Sequence, residues 1–205
     1  MANNYVYILD GRAYVNLTNK CSNACTFCIR NTGDGVKGTP LWLDKEPTAD
    51  EVMTAFEEIR NKLTDDEVVF CGYGEPTNAL GVLVECAARL KQLGYRLRLN
   101  TNGLGSADNG KDITNELKAF DTVSVSLNQC DEKKYALVTR SKYGDTAFRH
   151  VLDFANGCKK NDINTVFTVV DTIGDDDVRK SMAVARKMGI PLRVRKYVPD
   201  NYGDK

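Results

Sequence analysis

Apolar runs alternate with amphipathic segments along the whole of the 205-residue chain. Runs of strand length predict strands at residues 13–18, 67–71, 95–100, 122–127, 164–170 and 191–196. Apolar positions at helical spacing predict helices near residues 48–63, 79–93, 112–119, 131–138, 146–160 and 175–188. Because strands and helices alternate, we expect an α/β fold with a parallel sheet and right-handed crossovers. Six strands are too few for an eightfold barrel, so the prediction is an open, partial (βα)6 barrel with outer helices.

Polar and apolar residues alternate along several of these strands, which is unusual for parallel strands buried on both faces. The apolar set is expected to pack on the helices, which leaves the polar set facing the inside of the barrel. The polar positions are Asn16, Thr18, Arg96, Arg98, Asn100, Thr122, Ser124, Ser126, Asn128, Arg193 and Arg195. Such a lining predicts a chamber for a polar ligand. An antiparallel sheet with one solvent-exposed face is the alternative, although the intervening helices favour the parallel arrangement.

Length and composition predict a single domain over residues 1–205, with its core at about residues 13–198. The 28 Lys and Arg residues equal the 28 Asp and Glu residues, so charge gives no strong signal for nucleic acid or membrane binding. No apolar run approaches the roughly 18–20 residues that a membrane span needs, and no signal peptide is apparent. Seven cysteines without an export signal predict a reducing, cytoplasmic location, where cysteine clusters indicate metal binding or catalysis.

Three cysteines follow the first predicted strand in a CxxxCxxC spacing, at Cys21, Cys25 and Cys28. Thiols this close together can converge on one inorganic centre from a single loop. A cubane iron–sulfur cluster normally takes four cysteines, so three would leave one iron open to another ligand. A structural zinc site is the alternative, with Cys71 or Cys130 supplying the fourth ligand.

A second motif, Gly74-Glu75-Pro76, follows the second predicted strand. A glycine at a strand end lets the backbone approach a ligand closely, and Glu75 offers a carboxylate to a cationic amine. Ligands of parallel α/β folds bind at the carboxyl ends of the strands, where the cysteine loop also lies. We therefore expect the two motifs to face one site.

The two motifs together resemble the radical SAM superfamily, and the resemblance covers about residues 13–198. Residues 5–31 are also similar to the small radical SAM proteins associated with TatD-type hydrolases. The resemblance implies that Cys21, Cys25 and Cys28 hold three irons of one [4Fe-4S] cluster. The amino and carboxylate groups of S-adenosyl-L-methionine (SAM) would chelate the fourth iron. Reductive cleavage of SAM would then give a 5′-deoxyadenosyl radical that abstracts a hydrogen from substrate.

The resemblance also implies roles for residues outside the cysteine motif. A GGEP-type motif holds the amino group of SAM in this family, and Tyr73 replaces its first glycine here. SAM contacts are implied for Phe27, Gly74, Glu75, Pro76, Asn100, Asn102, Ser126 and Asn128. Candidate substrate contacts are Tyr73, Arg98, Arg193 and Arg195. The last two would bind an anionic group of the substrate or the carboxylate of SAM, because a guanidinium suits bidentate recognition.

The predicted function is that of a radical SAM enzyme that depends on a flavodoxin-like or ferredoxin-like electron donor. Its substrate is open: it is either a small anionic or nucleotide-like molecule, or a partner protein on which an activating enzyme installs a radical. A non-catalytic metal-binding or electron-transfer module is the alternative from another class. Such a module would explain the cysteines but would have no use for Gly74-Glu75-Pro76.

Overall fold

The computed structural model describes residues 3–31 and 35–196, which form one seven-stranded sheet with helices. The strands are β1 (Val6–Leu9), β2 (Arg12–Val15), β3 (Glu67–Phe70), β4 (Arg96–Thr101), β5 (Thr122–Ser126), β6 (Asn164–Val170) and β7 (Leu192–Arg195). The helices are α1 (Ala49–Ile59), α2 (Leu80–Gln92), α3 (Gly105–Asp108), α4 (Glu132–Thr139), α5 (Ala147–Lys160) and α6 (Asp175–Met188). Within the described ranges, none of these helices is long and apolar enough to cross a membrane. Both ends of the predicted domain, 1–2 and 197–205, lie outside the described residues.

The strands lie side by side in chain order, from β1 to β7. Strands β2 to β7 are all parallel, and each crossover between them contains helical structure. Among the described residues no pairing joins the first strand to the last, so the sheet is open. The predicted open α/β partial barrel is confirmed, and the antiparallel alternative is wrong.

Strand β1 was not among the six predicted strands. It pairs antiparallel with β2 through a two-residue turn, in which Leu9 faces Arg12. The turn residues Asp10 and Gly11 have φ values of 50° and 79°, which an Asp-Gly pair adopts readily in a tight hairpin. The Asp-Gly signal was present in the sequence, and the hairpin adds a seventh strand beside β2.

The predicted helix at 112–119 is wrong, because the structure has only a short 3₁₀ turn there, Thr114–Leu117. The side chain of Asp112 accepts hydrogen bonds from the backbone N–H and hydroxyl of Thr114, 2.9 and 2.8 Å away, and so stabilises this turn locally. The first predicted helix begins as expected, with Thr48 and Glu51 forming a capping box.

The two faces of the sheet differ in polarity as the alternation predicted. Apolar strand residues such as Leu97, Leu99 and Val123 are at most 1% exposed and share one core with residues of the helices. The polar residues between them lie on the opposite face, here called the inner face. Arg96 is an exception, since it lies at the amino end of β4 with its guanidinium 2.6 Å from the carboxylate of the exposed Asp66.

Candidate active site

The loop that carries the cysteines leaves β2 and is held by a helix that lies far away in sequence. The N–H groups of Ala24 and Thr26 donate 2.9 Å hydrogen bonds to the carbonyls of Thr139 and Val138. These two carbonyls belong to the last turn of α4, where a helix leaves its carbonyls without internal partners. The loop therefore docks on the carboxyl end of α4, although Thr26 and Val138 are 112 residues apart.

The three thiols of this loop are unpaired and partly buried, and they act on one another electrostatically. Burial raises the pKa of Cys25 to about 12, and the charges of Cys21 and Cys28 add to the shift. Although burial acts to lower it, the interaction with Cys28 raises the pKa of Arg30, whose guanidinium donates to the carbonyl of Asn19, 3.1 Å away. Three thiolates together need a source of positive charge, which a bound metal centre supplies.

The donor set favours a cluster over a single ion. Among the described residues, no three His, Cys, Asp or Glu side chains lie close enough to hold one metal ion. The mononuclear zinc alternative therefore has no ligand set there. In a cubane each cysteine would bind its own iron, so three cysteines on one loop suit that centre.

The Gly74-Glu75-Pro76 motif supports the root of the cysteine loop. The N–H of Glu75 donates a 2.8 Å hydrogen bond to the carbonyl of Lys20, the residue before the first cysteine. A Cβ at Gly74 would lie 2.2 Å from the carbonyl oxygen of Thr18 and 2.7 Å from that of Lys20. Glycine is required here because two backbone segments pass in direct contact. Pro76 then opens a 3₁₀ turn that ends at Ala79.

The carboxylate of Glu75 is only 3% exposed and is bound by its own chain. One oxygen accepts from the N–H and hydroxyl of Thr77, at 3.2 and 2.8 Å, and from the hydroxyl of Thr101 at 2.8 Å. The other accepts from the N–H of Asn102 at 2.7 Å. Burial raises the pKa of Glu75, while these hydrogen bonds act in the opposite direction. The carboxylate that the sequence assigned to the SAM amino group therefore ties the loop after β3 to the end of β4.

Asn102 connects this carboxylate to the cysteine loop. Its side-chain Nδ2 lies 3.7 Å from the Sγ of Cys21 and donates to it. Its Oδ1 accepts a 2.8 Å hydrogen bond from the N–H of Leu104, which fixes the orientation of the amide. The series Glu75, Asn102, Cys21 thus joins the two sequence motifs through hydrogen bonds.

The other predicted SAM contacts lie in the cysteine loop or at the ends of inner strands. Phe27 is half-buried within the loop, and Ser126 is the last residue of β5. Asn128 is 7% exposed and has a φ of 60°. Burial raises the pKa of the Cys71 thiol and Asn100 acts to lower it, while the Oδ1 of Asn100 is buried without a partner in the described part of the chain. That unpaired oxygen leaves a hydrogen-bond acceptor for a ligand donor.

The structure places the four predicted substrate residues in two environments. Arg98, Arg193 and Arg195 lie on the inner face of the sheet. Tyr73 lies instead in a separate hydrophobic cluster with Tyr7 and Leu41 and is 7% exposed, so little of its side chain is left to contact a substrate.

An aspartate that no sequence motif marks holds the outer side of the cysteine loop. The side chain of Asp108 is 3% exposed, and the ammonium of Lys142 lies 2.9 Å from it. Its carboxylate accepts 2.8 and 2.9 Å hydrogen bonds from the hydroxyls of Ser22 and Tyr143. A cavity of about 290 Å³ opens beside it, lined by Lys20, Cys21, Ser22, Asn78, Asp108, Asn109 and Lys142. Because Ser22 and Asp108 are 86 residues apart, sequence reasoning missed this contact.

Several solved structures have a fold similar to that of this chain. The structure of TYW1 with a lysine-pyruvate adduct bound is similar at a TM-score of 0.63 and 15% identity, over 91% of this chain and 65% of that chain. A radical SAM methyltransferase from Sphaerobacter thermophilus has a TM-score of 0.61 and 15% identity, over 93% and 68%. Native anSMEcpe with bound AdoMet has a TM-score of 0.61 and 18% identity, over 91% and 51%. The chain thus spans about two thirds or less of the length of these structures.

No curated protein sequence matches this chain significantly. The model of the Radical SAM superfamily, however, matches residues 15–185. That range contains the cysteine loop, the Gly74-Glu75-Pro76 motif and most of the sheet. The match and the geometry of the site agree, and the chain belongs to the Radical SAM superfamily.

Proposed function

We propose that this radical SAM enzyme cleaves SAM reductively and uses the product radical to abstract a hydrogen from a small anionic substrate. The observation that carries the proposal is the thiol set Cys21, Cys25 and Cys28, linked by Asn102 to the buried Glu75. A non-catalytic metal module would have no need for this connection between the cysteines and the second motif.

The family's cofactors are a [4Fe-4S] cluster and SAM. The three thiolates would hold three irons, and no fourth cysteine is supplied by the loop, which leaves one iron for SAM. When bound, cluster and SAM supply a 5′-deoxyadenosyl radical. The chain's own part is to hold Cys21 by the Asn102 amide, to keep the positive charge of Arg30 beside Cys28, and to orient the ligands on the inner face.

Members of this superfamily need a reductant, and we propose a flavodoxin-like or ferredoxin-like protein as the donor. A small anionic substrate is favoured over a partner protein because Arg193 and Arg195, on the inner face, lack a carboxylate partner among the described residues. An activating enzyme that acts on a protein would not require this charge inside the sheet.

The test is an anaerobic assay for 5′-deoxyadenosine. The protein is reconstituted with iron and sulfide, reduced, and given SAM, and the product is measured by liquid chromatography. We expect product from the native chain and none when Cys21, Cys25 and Cys28 are all replaced by alanine. Cys86→Ala, which removes a core thiol away from the loop, is the matched control and should retain the product. Equal product from the triple variant, or stoichiometric zinc and no cluster in the native chain, would refute the proposal.

Asn102→Leu should lower the reduction potential of the cluster. Leucine has a similar volume but donates no hydrogen bond to Cys21, so the negative charge of the reduced cluster loses a stabilising contact. One hydrogen bond is worth about 1 kcal/mol, which corresponds to a fall of about 40 mV for one electron. The measurement is a redox titration in which electron paramagnetic resonance monitors the reduced cluster. Asn164→Leu, at an exposed site on β6, is the control, and an equal shift in both variants would contradict the assignment.

A further inference from the structure

Three arginines gather on the inner face of the sheet. Arg98 lies in β4 between Leu97 and Leu99, which both belong to the core on the other face. Arg193 and Arg195 lie at alternate positions of β7. Leu192, the residue before Arg193, packs against that same core. Because side chains alternate along a strand, all three arginines point away from the helices and toward the inside of the open barrel.

The positive charge of this group is poorly compensated. The carboxylate of Glu67 lies 3.3 Å from the guanidinium of Arg98, and it is shared with Arg12 at 3.4 Å. Among the described residues, no carboxylate forms an ion pair with Arg193 or Arg195. Burial lowers the pKa of Arg193, and the charges of Arg98 and Arg195 lower it further, whereas the charge of Glu67 acts in the opposite direction.

Arg98 is also unusual in its burial. Its side chain is 14% exposed, and its Nε is buried without a hydrogen-bond partner in the part of the chain that the structure describes. A buried guanidinium with an unused donor is costly, even where another of its nitrogens forms an ion pair. Such a cost is typical of a site that is completed by a ligand.

Arg195 lies at the carboxyl end of the sheet, because it is the last residue of β7 and pairs with Val170, the last residue of β6. The thiol of Cys71 is influenced by the charges of Arg195 and Arg98 and also by that of Glu75. Cys71 follows β3 directly and leads into the motif whose first residue, Gly74, contacts the cysteine loop. An anion held by the arginines would therefore lie beside the end of the sheet where the two motifs meet.

We propose that Arg98, Arg193 and Arg195 form a binding site for an anionic group of the substrate, either a phosphate or a carboxylate. The inference rests on the proposed function and gives it a substrate class. Guanidinium groups bind both anions through paired, charge-assisted hydrogen bonds. Arg193 and Arg195 have no carboxylate partner among the described residues, so they suit a group with two negative charges better than one with a single charge.

The test uses two simple anions as probes, pyrophosphate and succinate, on the reconstituted protein with SAM bound and at constant ionic strength. Binding is measured by calorimetry and by the rise in melting temperature. We expect at least one probe to bind, and the double variant Arg193→Gln/Arg195→Gln to bind it at least tenfold more weakly. Both residues are exposed on an edge strand, so the double variant is expected to fold. Arg96→Gln, on the same sheet but paired with Asp66, is the control and should bind as the native chain does.

The outcomes separate this inference from the proposed function. The preferred probe identifies the anion as a phosphate or a carboxylate, and either result supports the site. Failure of both probes to bind, or equal weakening in Arg96→Gln, would overturn it. Loss of SAM binding in the double variant would also overturn it, since the arginines would then serve the cofactor carboxylate. Formation of 5′-deoxyadenosine is measured in parallel samples to which a reductant is added, and its absence from the native chain counts against the proposed function alone.

Discussion

Replacing Gly74 by alanine is expected to displace the cysteine loop and to prevent the cluster from assembling. The new methyl group would lie 2.2 Å from the carbonyl oxygen of Thr18 and 2.7 Å from that of Lys20. Both obstacles are backbone atoms, so the strain cannot be relieved by rotating a side chain. Overpacking of this kind costs about 3 kcal/mol, and here the segment that must move leads directly into Cys21.

The measurement for Gly74→Ala is the iron and sulfide content after reconstitution, together with the free energy of unfolding of the cluster-free chain. Gly81→Ala is the matched control, because a Cβ at Gly81 would meet nothing within 4 Å and the residue lies inside α2. Alanine is favoured over glycine by about 1 kcal/mol in a helix, so this control should be stable. A full cluster in Gly74→Ala would show that the close approach of the two segments is not required.

The fold could be predicted well because each βα unit carries its own local signals. Alternation along β4 and β5 identified both the core face and the inner face, and the Thr48 cap marked the start of α1. The hairpin strand β1 was missed because a four-residue strand has too few positions for a periodic pattern. The prediction of a helix at 112–119 was wrong for a different reason. The hydrogen bond that Asp112 accepts from the N–H of Thr114 favours a short turn there.

The site was predicted less completely, because its contacts join residues that are distant in sequence. The cysteine spacing and the glycine motif are local, and both could be recognised. The hydrogen bonds from Asn102 to Cys21, and from Ser22 to Asp108, depend on how strand ends and loops meet. The role of Glu75 shows the difference most clearly: the motif pointed to a ligand contact, and the structure reveals four donors from its own chain.

Removing the carboxylate of Glu75 should cost more stability than any surface substitution. Glu75→Ala leaves the N–H groups of Thr77 and Asn102 buried without acceptors, whereas the two threonine hydroxyls can rotate to other partners. At roughly 2 kcal/mol for each stranded N–H, the loss is about 4 kcal/mol. The measurement is the free energy of unfolding of the cluster-free chain in urea. Glu58→Gln, at an exposed position of α1, is the control and should change it by no more than about 0.5 kcal/mol.

Glu75→Gln separates the hydrogen bonds from the charge. An amide has one acceptor oxygen, so it can serve the N–H of Thr77 or that of Asn102 but not both, and the loss should be about 2 kcal/mol.

Burial raises the pKa of Glu75 in the folded chain above its value in the unfolded chain. The contribution of this raised pKa to the free energy of unfolding is therefore complete below the unfolded pKa of Glu75. It is lost as the pH rises through the folded pKa. Glutamine does not ionise, so the stability difference between the native chain and Glu75→Gln should shrink as the pH rises above the unfolded pKa of Glu75, which urea unfolding at a series of pH values would measure. A difference that grows with pH instead would mean that the four donors lower the pKa of Glu75 more than burial raises it.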